Sequence, residues 1–235
     1  MTTSTYLPSS SSELSWSIEA GSRRCEVRST TVADGDFAVR RPAEELDRLR
    51  RRVVDLEWSW VRQVHGTEVI HVTAPGQGVG HEADGLLTSI PGCALAVTTA
   101  DCAPVVLVGT DAVAIVHAGW RGALAGIVEI AADQLRALDA EPVASILGPC
   151  IGPAHYEFGA EELQAMIDRF GREVVAHTLE DRPALDMTAV VAQACALAGW
   201  PRPSRPVCTS DEQFFSHRTR GDLGRQTTVA WLEPR

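Results

Sequence analysis

The stretch that decides the fold is residues 112–138, which read AVAIVHAGWRGALAGIVEIAADQLRAL. Its first five residues are apolar and rich in β-branched side chains, a composition typical of a buried strand. Residues 117–119 then predict a tight turn. Apolar residues at helical spacing continue to Leu135 and predict one continuous helix. A strand, a turn and a helix in this order indicate a fold that layers helices on a sheet.

Further elements flank this unit on both sides. Apolar runs bounded by Gly, Pro and polar residues predict strands at 58–64, 68–72, 85–88, 94–99, 104–108, 143–147 and 227–232. Helices are expected over 42–52, over 160–170 with Gly171 as the stop, and from an N-cap at Asp186 to Gly199. The pattern as a whole predicts an α/β or α+β chain.

The chain shows no internal repeat and no interior linker that would divide it. A start rich in Ser and Thr predicts a disordered tail over residues 1–15, and residues 16–235 are expected to form a single catalytic domain. A monomer or a weak homodimer is expected.

Composition narrows the classes of partner. The 21 basic and 31 acidic residues give a net charge of −10, which argues against a nucleic-acid polymer as the partner. No apolar run reaches the roughly 18 to 20 residues of a membrane span, and the start has no signal-peptide pattern. We therefore expect a cytoplasmic protein. Its six cysteines form no CxxC pair and are expected to be reduced thiols.

Three metal-capable side chains stand where a predicted strand meets a turn: His65, Cys102 and His117. Two imidazoles and one thiolate would leave the fourth position of a tetrahedral zinc open, as a catalytic zinc requires. Their wide spacing excludes the compact loop of a zinc finger. The alternative is that Cys102 is a small buried hydrophobe and that both histidines are only hydrogen-bonded.

Other side chains are candidates for catalysis or substrate binding. Asp101 precedes Cys102 and could orient a ligand or act as a general base, or it could simply end a strand by accepting backbone hydrogen bonds. Arg121 stands at the predicted helix start, where it could help bind phosphate or make a structural ion pair. Cys150 lies in a loop with two glycines and two prolines, beside a pocket or packed in the core.

The C-terminal stretch brings aromatic and cationic residues together. Phe214 and Phe215 precede Arg218, Arg220 and Arg225. Aromatic faces and guanidinium groups suit a base and an anion together, so Arg218 and Arg225 are candidates for substrate and phosphate binding. The alternative is a core-facing Phe pair followed by a solvated polar hairpin.

Taken together, several motifs resemble those of the laccase-domain (YfiH-type) family, over about residues 63–232. These motifs are QVHG (63–66), ADGLLT (83–88), TADCAP (99–104), HAGWRG (117–122), GPCIG (148–152) and GRQ (224–226). The resemblance implies a zinc site at His65, Cys102 and His117. It also implies an α+β fold, a mixed α/β sandwich related to the catalytic fold of cytotoxic necrotising factor.

The resemblance further implies a purine nucleoside phosphorylase acting on adenosine, inosine, guanosine and methylthioadenosine with phosphate, to give the base and ribose 1-phosphate. Adenosine deaminase activity is implied as well, although the usual H-x-E and P-C-x-x-C deaminase signature is absent. Two regions depart from the family pattern. Residues 27–37 keep only a remnant of its Phe-Thr-Arg and Gly-Gly-Val-Ser segments, and Ser216-His217-Arg218-Thr219 replaces Ser-Tyr-Arg-Arg.

Three other functions stay open. One is a copper polyphenol oxidase with Cu²⁺ in place of Zn²⁺, although the seven histidines include no H-x-H pair. Another is a metal-free hydrolase or amidase with a cell-wall editing role, with Cys102 as nucleophile and His117 as base. The last is a binding module without catalysis.

Overall fold

The computed structural model describes residues 14–204 and 206–234. Most of the tail predicted over 1–15 lies outside the described residues. Its last two residues, Leu14 and Ser15, belong to the first strand. In the described part of the chain, no helix is long and apolar enough to cross a membrane.

The described chain contains both strands and helices, and six strands follow one another in its middle. The strands are β1 (Leu14–Ala20), β2 (Arg23–Ser29), β3 (Glu57–Trp60), β4 (Val69–His71), β5 (Gly85–Thr88), β6 (Cys93–Thr99), β7 (Ala103–Gly109), β8 (Ala112–Ala118), β9 (Pro142–Leu147), β10 (Val175–His177), β11 (Pro183–Leu185) and β12 (Gln226–Leu232). The helices are α1 (Ala43–Val53), α2 (Trp120–Ala125), α3 (Ile127–Arg136), α4 (Ala160–Phe170), α5 (Met187–Leu197) and α6 (His217–Arg220).

Two five-stranded sheets form the centre of the molecule. The first has the order β1-β2-β12-β6-β3 and the second the order β4-β5-β8-β7-β9; β10 and β11 pair separately. Most neighbours are antiparallel, whereas β3 with β6 and β4 with β5 are parallel. Mixed sheets with helices outside them are an α+β architecture, which confirms the expected fold class.

Side-chain alternation divides the interior into layers. On β8, Val113 and Ile115 pack with Val97 and Leu95 of β6, so they fill the space between the two sheets. The intervening residues of β8 pack against α3 and α5 in the largest apolar cluster. A third, smaller cluster lies on the outer face of the first sheet, against α1.

One end of the space between the sheets is polar instead of apolar. Continuing the alternation of each strand, the first sheet places Thr99, Gln226, Thr228 and Ser29 at this end, and all are buried. The second sheet contributes buried polar residues there too, and His117 is one of them. The two sheets therefore enclose an apolar core that becomes polar toward one end.

The stretch 112–138 departs from its prediction in two ways. His117 and Ala118 belong to β8 and not to a turn, because β7 continues to pair with β8 as far as Ala103 and Ala118. The predicted single helix is two helices, since Gly126 adopts φ 93° between α2 and α3. Only glycine takes this left-handed conformation readily, so the chain turns there at little cost.

Strand β3 ends at Trp60, four residues before the predicted end at Val64. Beyond it, the side chain of Gln63 continues the pairing: its Nε2 donates to the Thr98 carbonyl and its Oε1 accepts from the Thr98 N–H, both at 2.8 Å. Because a side chain meets the hydrogen-bonding groups of β6 here, the backbone is free to turn toward His65.

Other predictions are confirmed closely. β5 and α4 have the predicted bounds, and Asp186 caps α5 by accepting hydrogen bonds from Thr188 and Ala189. The hairpin β1–β2 was not predicted, because its strands carry many Ser, Glu and Arg residues among the apolar ones.

Candidate metal centre

His65, Cys102 and His117 meet at the polar end of the sandwich. One ligand atom from each lies within 4.8 Å of the others. His117 comes from β8, Cys102 from the turn between β6 and β7, and His65 from the loop after β3. Cys102 Sγ is 3.8 Å from His65 Nε2, and the two imidazole rings meet edge to face with centroids 4.8 Å apart. The geometry thus gathers the three residues singled out in the sequence.

Asp84, which stands in the ADGLLT motif, contacts two of the three residues. Its fully buried carboxylate is 2.8 Å from His117 Nδ1 and also accepts the backbone N–H groups of Val64, His65 and Gly66. Burial opposes ionisation of this carboxyl, but the hydrogen bonds from His117, Gly66 and Val64 prevail and lower its pKa. One carboxylate therefore orients the His117 ring and fixes the loop that carries His65.

This arrangement is typical of metal-binding histidines. A ligating imidazole usually gives its second nitrogen to a carboxylate, which fixes the tautomer and the ring orientation. With Nδ1 of His117 held by Asp84, Nε2 is left to face the centre.

The ionisation of Cys102 and His117 is strongly coupled. Burial alone would raise the pKa of the Cys102 thiol, but hydrogen bonds and charges from His117 and His65 outweigh it and lower this pKa to about 6. Burial likewise acts to lower the pKa of His117, but Asp84 and Cys102 raise it to about 9. Near neutral pH the metal-free centre therefore holds a thiolate beside an imidazolium.

Two glycines of the HAGWRG motif make room for the centre. A Cβ on Gly119 would lie 2.6 Å from His65 Cδ2 and 3.5 Å from Cys102 Sγ. A Cβ on Gly122 would lie 3.0 Å from the Gly66 carbonyl oxygen. The start of α2 thus packs directly against the His65 loop, at a distance that side chains would not permit.

These residues fit a transition-metal ion. Two imidazole nitrogens and a thiolate are donors that both zinc and copper accept. Three protein ligands would leave a position open to solvent or substrate, as in catalytic zinc sites. Asp84 supplies the outer hydrogen bond that such a site needs.

The three side chains open onto a cleft of about 470 Å³. Its lining also includes His217 and the arginines Arg40, Arg62 and Arg225, and it includes no Asp or Glu. Arg40 and Arg62 are paired with Asp36 and Glu82, so Arg225 is the arginine of this lining that would attract an anionic ligand most directly.

Asp101 does not face the metal-binding side chains. Its buried carboxylate accepts hydrogen bonds from Thr209 Oγ1 at 2.6 Å, from Ser216 Oγ at 2.7 Å and from the Arg218 N–H at 2.7 Å. Its backbone has φ 97°, in the left-handed region. The contacts assign it a positioning role, joining the turn that carries Cys102 to the segment around α6.

The residues expected to bind substrate or phosphate are dispersed. Arg225 lines the cleft. Exposed Arg121 instead lies over the ring of Trp120 at 4.4 Å, and Arg218 over Tyr156 at 5.1 Å; neither lines the cleft. Cys150 is buried in the main apolar cluster, and burial raises the pKa of its thiol. Of these four residues, the geometry brings only Arg225 to the cleft.

Three residues of the site were missed in the sequence. Asp84 could have been found by strand alternation, since it stands two residues before Leu86, which faces the space between the sheets. Gln63 lies inside a quoted motif but gives no signal that its side chain would pair with a strand. Thr99 resembles any strand residue until its burial is known.

The family of the chain follows from comparison with known proteins. Residues 28–233 match the sequence model of the family described as multi-copper polyphenol oxidoreductase laccase. The chain belongs to this laccase-like family, which confirms the resemblance found in the motifs.

Relatives and solved structures agree with this assignment. The purine nucleoside phosphorylase of Xylella fastidiosa (strain 9a5c) is 38% identical over 187 residues, which cover 74% of this chain and 71% of the relative. The purine nucleoside phosphorylase YfiH of Escherichia coli (strain K12) is 34% identical over 180 residues, which cover 74% of this chain and 73% of the relative. The crystal structure of YfiH from Bacillus licheniformis matches with a TM-score of 0.77 at 25% identity, over 89% of this chain and 93% of that chain. The crystal structure of YlmD from Geobacillus stearothermophilus matches with a TM-score of 0.73 at 26% identity, over 89% of this chain and 92% of that chain.

Proposed function

We propose that this chain is a zinc-dependent purine nucleoside phosphorylase. It would convert adenosine, inosine, guanosine or methylthioadenosine, with phosphate, into the free base and ribose 1-phosphate. The observation that carries the proposal is an open His-Cys-His centre in a cleft lined by arginines and no carboxylate. The names of the relatives in Xylella fastidiosa and Escherichia coli support the same reaction.

The reaction needs no oxidant. A phosphate oxygen forms a bond to C1′ of the ribose while the bond from C1′ to the purine nitrogen breaks, and the base leaves with the electron pair and gains a proton. In the cleft, Arg225 would hold the phosphate and offset part of its charge, since Arg40 and Arg62 are already paired with Asp36 and Glu82. Binding both substrates in one cleft would align the attacking oxygen with C1′.

His65, Cys102 and His117 would hold the zinc ion, and Asp84 would keep the His117 ring in the orientation that binding requires. A bound zinc would supply Lewis-acid chemistry, polarising a substrate oxygen or nitrogen. The same centre would support adenosine deaminase activity, in which water replaces the amino group at C6 and ammonia leaves.

Phosphate-dependent release of adenine tests the main reaction. Purified protein is loaded with zinc, given adenosine and phosphate, and assayed for adenine and ribose 1-phosphate; ammonia and inosine are measured without phosphate. His65→Ala is expected to abolish both activities together with zinc binding. His177→Ala, which changes an exposed histidine on β10, is the matched control and should retain them. If the zinc-loaded wild type releases no adenine, the proposal is wrong.

The description of the family model favours a second candidate, a copper-dependent polyphenol oxidase. The donor set would also bind copper, which has the higher intrinsic affinity. In the described part of the chain, however, the three residues are the only group of three or more His, Cys, Asp or Glu found to be suited to a metal. Oxygen consumption with a phenol, restored by copper but not by zinc, would support this activity.

A third candidate follows from the order of contacts in the site. Cys102, His117 and Asp84 form a thiol–imidazole–carboxylate chain, the arrangement of a cysteine hydrolase or amidase. Zinc would block it by taking the thiolate. Hydrolysis of an amide by chelator-treated protein, lost after alkylation of Cys102, would support this reading.

A further inference from the structure

The hydroxyl of Thr99 is buried without a partner. Thr99 is 2% exposed, its Oγ1 has no hydrogen bond, and the residue lines the cleft beside the metal centre. Three other described side chains have a buried polar atom without a partner, but none of them lines this cleft. They are Ser59, Glu129 and Ser145.

A buried hydroxyl without a hydrogen bond destabilises the folded chain, and an apolar residue at this position would avoid that penalty. Thr99 continues the row of Leu95 and Val97 on the same face of β6, where valine has a similar shape and leaves no polar atom unpaired. The folded chain without a ligand gains nothing from the hydroxyl. A ligand in the cleft that accepts a hydrogen bond would remove the cost.

Arg225 also lines the cleft, at the end of the strand pair that carries Thr99. Gln226, the first residue of β12, is the registered partner of Thr99, so Arg225 lies at the end of the same strand pair. Its Nη1 donates to the carbonyls of residues 222–224 at 2.7 to 3.4 Å, which fixes the guanidinium. Those contacts use one nitrogen of the planar fork and leave its other N–H groups for a ligand.

His217 is a third residue of the same cleft lining. It lines the cleft, and both of its chain neighbours are held by Asp101: Ser216 through Oγ and Arg218 through its backbone N–H. Asp101 follows Thr99 by two residues and directly precedes Cys102, so one short turn joins Thr99 and Cys102 to the segment that carries His217.

We propose that Thr99, Arg225 and His217 form the subsite for inorganic phosphate, and that the Thr99 hydroxyl is a specificity-determining donor in it. This rests on the proposed phosphorylase reaction. A hydroxyl donor and a planar guanidinium suit a tetrahedral oxyanion, and no carboxylate in the lining would repel it. This subsite differs from the phosphate site expected from the sequence at Arg121 and the start of α2. Arg121 stacks on Trp120 and does not line the cleft.

The kinetic test uses a variant that removes only the hydroxyl of Thr99. Thr99→Val is expected to raise the KM for phosphate by about ten-fold or more, while the KM for adenosine changes less than about two-fold. Thr99→Ser, which keeps the hydroxyl, should stay close to the wild type. Ser59→Ala is the matched control, since it removes another buried, unpartnered hydroxyl on β3 away from the cleft. An unchanged phosphate KM in Thr99→Val would overturn the proposal.

A binding measurement tests the phosphate subsite independently of the phosphorylase reaction. Without ligand, Thr99→Val should melt about 2–4 °C above the wild type, because the unpaired hydroxyl is gone. Added phosphate should raise the Tm of the wild type and of Thr99→Ser, but not that of Thr99→Val or Arg225→Gln. Phosphate stabilisation that depends on Thr99, in a protein without phosphorylase activity, would uphold the subsite and reject the proposed function. Equal stabilisation of wild type and Thr99→Val would reject the subsite.

Discussion

Asp84 Oδ1 lies 2.8 Å from Nδ1 of His117, and neither residue is accessible to more than a trace of solvent. Because the same carboxylate accepts three backbone N–H groups from the loop of His65, it links two of the three proposed ligands before any metal binds. The centre is therefore preorganised by a residue outside the group of three proposed ligands.

Asp84→Asn is expected to weaken zinc binding by about 10- to 100-fold, because the amide cannot match the carboxylate as partner of His117 Nδ1 and of three N–H groups. The unfolding free energy should also fall, since buried donors lose their acceptor. Competition with a chromogenic chelator measures the affinity. Asp111→Asn, which alters an exposed contact to Ser22, is the control and should bind zinc normally. Wild-type affinity in Asp84→Asn would refute the preorganising role.

Gly119→Ala is expected to lower zinc affinity without unfolding the chain. The new Cβ would meet His65 Cδ2 at 2.6 Å and push the ring away from Cys102, whereas the backbone at φ −66° accepts alanine without strain. Gly66→Ala is the matched control, because its Cβ would make only ordinary contacts of 3.5 Å. Zinc content and circular dichroism of the two variants test the difference. Equal zinc content in both would show that the close approach of α2 is dispensable.

Zinc binding should release close to one proton at pH 7.5. In the metal-free centre, the pKa of Cys102 is about 6 and that of His117 about 9, so between these values a thiolate faces an imidazolium. The metal takes neutral imidazole, so the proton of His117 must leave. Above pH 9 the number of protons released should decline toward zero, because His117 is then already neutral. Below pH 6 a second proton must leave from Cys102, and affinity should fall more steeply.

Calorimetric titration in two buffers with different ionisation enthalpies measures this release. An observed binding enthalpy that is the same in both buffers at pH 7.5 would contradict the thiolate–imidazolium pair.

Asp101→Ala should destabilise the fold by about 2–4 kcal/mol, because Thr209, Ser216 and the Arg218 N–H lose a buried acceptor. Asp101→Gly loses the same hydrogen bonds but relieves the strain of φ 97°. It should therefore be the more stable of the two variants by about 1 kcal/mol. Urea unfolding measures both. An Asp101→Ala variant as stable as the wild type would mean that the contacts to the α6 segment contribute little.

The sequence singled out the three proposed ligands, because His65, Cys102 and His117 each stand at the end of a strand or in the turn after it, within a distinctive motif. Periodicity also located α4 and β5. It could not locate the break at Gly126, because the apolar spacing of a helix continues across it. Only the pairing with β7 shows that β8 extends to Ala118.

The surroundings of the centre were harder to foresee, because they depend on contacts between distant parts of the chain. Asp101 contacts residues more than 100 positions away, so its positioning role cannot be inferred from its neighbours in the sequence. The same holds for Arg121 and Arg225: both are arginines in specific motifs, and only the fold shows which one lines the cleft.

The polar end of the space between the two sheets has a consequence for laboratory evolution. Its buried polar residues from the first sheet include Thr99, whose hydroxyl has no partner among the described residues, and Ser29 and Thr228, whose hydroxyls hydrogen-bond to each other at 2.8 Å. Replacing such groups with apolar residues of the same shape is neutral or favourable for folding. Directed evolution for heat resistance alone should therefore fix substitutions at this end early, and the resulting variants should gain melting temperature as they lose affinity for phosphate.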